Sequence, residues 1–235
     1  MAKVASTVGP SVSGITVQQT SEDVITTEQT TEETTTQKTL IVPGINNFTV
    51  RQGDTFEVFM DSLDGETWIV IQRHTSSSTS FYRNWQDYKT GFGNLLGDFW
   101  IGNDKLHLLT STPKILRIEM QARDGRKGFV QYSSFQVDDE VNKYELKVNG
   151  FSGNFSYDGL AAHYGHKFST YNVDNDIFGD NCAEIYRGGW WYAECHTSNL
   201  NGPYEDYVSD IDTASISWYE NGFVLRLLNS IMLIR

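Results

Sequence analysis

Hydrophobic and polar positions alternate along much of the chain, and the pattern changes character twice. From Ile41 to about Gly150 it has the period of strands. TFEVFMD puts Phe56, Val58 and Met60 on one face, and WIVIQRH is a short apolar run that reads as a buried strand. SSSTS marks a turn. NWQDYKTGFGN predicts a short helix, with Asn84 as N-cap, Trp85 and Tyr88 at helical spacing and Gly91 as its stop. KLHLLT, KILRIEMQA, GFVQYSSFQV and YELKVNG alternate again, and Asp124-Gly125 marks a hairpin turn. After Gly150 the period fades into glycine, asparagine, serine and tyrosine until about residue 222, where GFVLRLLNSIMLIR restores a strand pattern. The prediction is an antiparallel sheet, a long loop-rich region, and a last strand that returns to the sheet. Loops this long in a compact domain are usually functional.

Residues 1–40 are a different material. TTEQTTEETTTQKT offers almost nothing to bury, so this tail is expected to be disordered, a linker or a threonine-dense stalk. The chain has 235 residues, enough for one domain with a real core. Its formal net charge of −12 argues against nucleic acid and anionic membranes as partners, and leaves room for calcium and neutral ligands. No apolar run is long enough to span a bilayer, and no signal peptide is visible at the start.

Candidate chemistry concentrates in NVDNDIFGDNCAEIYRGGWWYAECH. Asp174 and Asp176 present two hard oxygen ligands suited to calcium, or form a solvated acidic turn. An EF-hand fails: with Asp174 as its first position, Ile185 falls where the bidentate glutamate belongs. Cys182 and Cys195 are the only cysteines, either two buried thiols or one closed loop. His196 has no nucleophile motif beside it, and no carboxylates form a recognisable acid–base pair, so catalysis is not expected.

Taken together, WIVIQRH, NWQDYKTGFGNLLGDFWIGND, NCAEIYRGGWWYAECHTSNLNG and the closing IMLIR resemble the fibrinogen C-terminal (fibrinogen-related) domain over residues 41–235. The resemblance implies an α+β fold with a central twisted antiparallel sheet, short helices and a loop-rich calcium- and ligand-binding subdomain. It divides the domain into 41–66 (small N-terminal subdomain), 67–150 with 223–235 (central sheet) and 151–222 (binding loops). It implies a calcium ion held by the side chains of Asp174 and Asp176 and the backbone oxygens of Phe178 and Asp180, beside a Cys182–Cys195 disulfide. It places the ligand site at Tyr186, Cys195 and His196, with Asp212 and Thr213 where the family's acetyl-binding lectins carry a tyrosine and a small residue. Val224 replaces an aromatic wall, and an aspartate beside His196 would favour a cationic group. A second family disulfide is missing, with Met60 at one of its positions.

The implied role is a secreted, calcium-dependent recognition domain. Its ligand is an acetylated or other glycan, as in innate defence, or alternatively an extracellular protein partner, as for angiopoietins. Sequons at Asn47 and Asn154 fit a secreted glycoprotein. Useful avidity for such a site calls for an oligomer, assembled through regions not evident in this chain.

Overall fold

The structure is a computed structural model that describes residues 43–50, 53–204 and 214–235. The tail assigned to residues 1–40 lies outside the described residues, as do Asp212 and Thr213.

The described residues open with three strands in succession, β1 (Gly44–Thr49), β2 (Thr55–Leu63) and β3 (Glu66–His74). Helix α1 (Trp85–Thr90) and the two-residue strands β4 (Phe92–Gly93) and β5 (Phe99–Trp100) follow, then helix α2 (Asn103–Leu109). Next come β6 (Lys114–Ala122), β7 (Lys127–Val137) and β8 (Leu146–Gly153). The remainder holds helix α3 (Cys182–Ile185), β9 (Ser198–Asn199), β10 (Ser217–Glu220) and the long β11 (Phe223–Ile234). The main sheet runs β1-β2-β3-β11-β6-β7-β8, with every pair antiparallel. The fold class is α+β.

The returning strand takes a central place. β11 pairs with β3 on one side (Met232 opposite Gln72) and β6 on the other (Met232 opposite Ile118). A strand flanked on both sides must be apolar on the face it turns to the core, and Leu225, Leu227, Met232, Leu233 and Ile234 are all buried. The hairpin at Asp124-Gly125 joins β6 to β7, with Gly125 at φ 92° in the left-handed region that favours glycine. β1 and β2 continue the same sheet. Met60 packs there against the core, and Phe48 lies 6.1 Å from Phe56 between ring centroids.

KLHLLT is a correction to the strand pattern. Residues 103–109 are helical, because Asn103, Leu106 and Leu109, each three apart, are the residues that bury. The local run of apolar residues fits both periods, and packing against the core selects the helix.

Asn84 caps α1 as its position predicts: its Oδ1 accepts the Asp87 N–H at 2.9 Å, and Gly91 ends the helix. Asn84→Ala is expected to cost about 1 kcal/mol, read as a lower denaturant midpoint, and Asn84→Asp to retain most of it. Equal midpoints for Asn84→Ala and the parent would show that the cap contributes nothing.

Beneath the sheet lies a core of aromatic rings. Trp100, Trp190, Trp191, Trp218, Tyr88, Tyr192 and Phe168 are fully buried. Five of them (Phe168, Trp190, Trp191, Tyr192, Trp218) come from the region without periodicity, so the loops are fastened by their side chains. Buried Gln72 on β3 ties sheet to loops: its Nε2 donates to Leu200 O at 2.9 Å, Ser230 Oγ at 3.0 Å and Asn201 Oδ1 at 3.2 Å.

Candidate functional site

Short backbone pairings and asparagine side chains shape the loop from Phe168 to His196. Ser169 and Trp190 exchange backbone hydrogen bonds of 2.9 and 3.1 Å and close its base. Asn175 Nδ2 donates to Phe168 O at 2.8 Å. Asn181 Nδ2 donates to Thr170 O at 3.1 Å, while its Oδ1 accepts the Glu184 N–H and caps α3. Each amide satisfies backbone groups that an irregular loop would otherwise leave unpaired. On the far side the backbone passes close to its neighbours. A Cβ on Gly188 would stand 2.2 Å from Asn201 O, and one on Gly189 2.6 Å from the Tyr88 ring. Tyr88 fixes that approach through its hydroxyl, which donates to Phe81 O at 2.7 Å and accepts from Gly189 N at 3.0 Å.

Asp174 and Asp176 lie on this loop with their carboxylates turned to the same backbone. Asp174 Oδ1 accepts the Asp176 N–H at 3.1 Å. Asp176 Oδ1 accepts from Phe178 N and Oδ2 from Cys182 N, both at 3.0 Å. Burial and the neighbouring Asp174 charge push the Asp176 carboxyl above its ordinary range, against the pull of the two backbone donors. Phe178 and Asp180 are exposed, and neither carbonyl accepts a backbone hydrogen bond among the described residues. The donor set is therefore all oxygen, with two carboxylates and two unengaged carbonyls, which suits a hard cation. Among the described residues no three His, Cys, Asp or Glu side chains cluster, so carbonyls would have to complete any coordination here.

Cys182 and Cys195 form a disulfide, with Cα atoms 5.4 Å apart. Because Cys182 N–H also donates to Asp176, the bridge and the carboxylate pair belong to one unit. The cross-link closes a loop with a sequence separation of 13, worth about 3 kcal/mol in the chain-entropy account. Replacing both cysteines by serine should lower unfolding stability by about that amount. An unchanged denaturant midpoint would mean the unfolded state already holds this loop closed.

Beside the disulfide lies an open cavity of about 300 Å³, lined by Ala162, Ile177, Ala193, Glu194, Cys195, His196 and Thr197. His196 is half-buried. Burial lowers its pKa to about 4, and its Nε2 has no hydrogen-bond partner among the described residues. Tyr186 meets His196 edge-on at 4.4 Å, and it supports the imidazole from outside the cavity lining. Thus Cys195 and His196 come together at the cavity, with Tyr186 behind them. Val224 lines a separate groove with Arg123, Arg126 and Phe223.

Sequence reasoning passes over Glu194, Ala162, Ile177, Ala193 and Thr197. Small and aliphatic residues in an aperiodic loop carry no local signal. Asn181 is legible in principle, since an asparagine followed three positions later by Glu184 is a capping pattern.

Comparison with known proteins agrees with this architecture. The family described as fibrinogen beta and gamma chains, C-terminal globular domain, matches residues 28–234. Angiopoietin-related protein 7 from Bos taurus is 43% identical over 167 residues, covering 69% of this chain and 48% of its own length. The protein thus spans about half the length of that relative. The fibrinogen-like globe domain of human ANGPTL2 superposes with a TM-score of 0.78 at 33% identity, covering 83% of this chain and 92% of that one. A lamprey fibrin D-dimer, complexed with the peptide Gly-His-Arg-Pro-amide, gives 0.73 at 28% identity, over 82% of this chain and 68% of that one. The protein belongs to the family of C-terminal globular domains found in the fibrinogen beta and gamma chains.

Proposed function

We propose that this protein is an extracellular recognition domain that binds a protein partner at the cavity beside Cys195 and His196. The observation that carries the reading is the cavity lining. Its members are small or aliphatic apart from the His196 imidazole and the exposed carboxylate of Glu194. An acetyl group calls for an aromatic wall, whereas a carboxylate at the rim of an apolar cavity suits a cationic group such as a peptide amino terminus, lysine or arginine. The peptide held by the lamprey relative carries an arginine. Fibrinogen-like domains and angiopoietin-related proteins are non-enzymatic families, which supports a binding role.

The extracellular setting is supported by the disulfide, which persists in oxidising compartments, and no helix among the described residues is long and apolar enough to cross a membrane. Calcium belongs to the same proposal. Asp174 and Asp176, with the carbonyls of Phe178 and Asp180, would hold it, and its charge would offset the repulsion between the two carboxylates. A single shallow cavity binds weakly, so the partner would be engaged by an assembly of several such domains.

The reading is tested with the Gly-His-Arg-Pro-amide peptide and an N-acetylglucosamine resin, each in calcium and in chelator. Saturable peptide binding that weakens in chelator and in Glu194→Gln, with no retention on the resin, is the expected result. Retention on the resin without peptide binding would replace it with glycan recognition, in which the unpartnered His196 Nε2 would meet a sugar hydroxyl. Binding to neither probe would overturn a cationic-ligand cavity.

A further inference from the structure

The two sequons stand at the two edges of the main sheet. Among the described residues β1 pairs only with β2, and β8 is last on the far side, paired with β7. An edge strand presents a row of backbone donors and acceptors that another strand can complete, and proteins block such rows by charge, bends or bulk.

On β1, Asn47 lies within the strand, opposite Glu57 on β2. Burial alternates strictly along this strand: Phe48 turns inward while Ile45, Asn47 and Thr49 are exposed. The asparagine of Asn47-Phe48-Thr49 therefore faces solvent on a short edge strand with an exposed isoleucine.

On the other side, Asn154 follows the last residue of β8 and extends its ladder. Its N–H donates to Phe129 O at 3.0 Å and its Oδ1 accepts from Phe129 N at 2.7 Å. A glycan is carried on Nδ2, so Oδ1 stays available and the pairing with Phe129 survives modification. Asn154 and Ser156 are exposed while Phe155 between them is buried. The first residue of β8 is already covered, since Leu146 exchanges backbone hydrogen bonds with His166 and Gly165. The end near Asn154 has no such cover among the described residues.

We propose that Asn47 and Asn154 both carry N-linked oligosaccharides, and that these glycans guard the two sheet edges against strand pairing with a second copy. The proposal rests on the extracellular reading above. In the modification, Asn Nδ2 attacks C1 of a lipid-linked oligosaccharide pyrophosphate. The C1–Nδ2 bond forms, the C1–O bond to the pyrophosphate breaks, and one amide proton leaves with no change of oxidation state.

The test uses all 235 residues behind a heterologous secretion signal in mammalian cells. Both asparagines are mapped by glycosidase release in heavy-oxygen water, which converts each occupied site to a mass-tagged aspartate. Both sites should be tagged. The same sequence made in a bacterial periplasm, oxidised but without glycans, should self-associate at about tenfold lower concentration by ultracentrifugation, with unchanged secondary structure. Asn47→Gln in mammalian cells bares the β1 edge alone and should give dimers. An untagged Asn47 or Asn154, or equal monomer ranges with and without glycan, would overturn the proposal. Entry into the secretory pathway is forced here, so these outcomes do not depend on where the native protein works. Fractionating native tissue for the protein in medium or cytosol tests the extracellular reading separately.

Discussion

Moving from pH 7 to pH 5 should lower the melting temperature by about 10–20 °C, through three histidines that the fold holds neutral. His163 is the strongest case. Burial brings its pKa down to about 3. Its Nδ1 lies 2.7 Å from Trp191 O, while its Nε2 accepts the N–H groups of Thr197 and Ser198, both at 3.3 Å. Nδ1 therefore carries the proton, and a second proton on Nε2 would collide with two backbone donors. Burial likewise lowers His74, stacked 3.9 Å from Phe81, to about 4, and His196 to about 4. A folded-state pKa below the unfolded value near 6.5 makes the unfolded state bind protons first. Stability is thus complete above about pH 6.5 and is lost as pH falls toward the folded values. At pH 5 each group contributes a loss of about 2 kcal/mol, an upper figure for the half-exposed His196. Thermal melts at pH 7, 6 and 5 check this, and a flat profile would mean that the histidines ionise without cost in the fold.

Trp191→Ala should cost about 3–5 kcal/mol and remove most of the near-ultraviolet circular dichroism. The ring is fully buried, and its Nε1 donates to Tyr144 O at 2.7 Å. It lies within 5.1–6.3 Å of Trp190, Phe168, Trp100 and Phe135, each edge-to-face. These partners come from β5, β7 and the loops, so the cavity left by truncation would not close by shifting one element. Trp191→Phe should lose less, because the ring remains and only the Tyr144 carbonyl is left unpaired. A loss below about 1 kcal/mol for Trp191→Ala would show that the aromatic cluster repacks freely.

Periodicity made the sheet legible. TFEVFMD, WIVIQRH and the closing strand fold as their alternation predicts, and Asn84 and Gly91 bound α1 through capping chemistry that is local by nature. KLHLLT misled because four apolar or amphipathic residues in a row fit either period. The site was legible in part. Two carboxylates, two cysteines and His196 mark the loop by residue type. Glu194 and the small residues around the cavity do not, because their neighbourhood is made by Ser169 pairing with Trp190 and by rings filling the space beneath. Such long-range side-chain fastening leaves no period in the sequence.

The place of β11 sets the order in which the molecule can be completed. During synthesis the other strands among the described residues leave the ribosome before residues 223–234, yet those residues sit between β3 and β6. Until they emerge, the nascent polypeptide holds two half-sheets, each ending in an open edge that faces the other. The domain therefore has to wait for its last strand. That interval is when it most needs shielding from neighbouring polypeptides, since non-local strand pairing is slow and exposed edges aggregate.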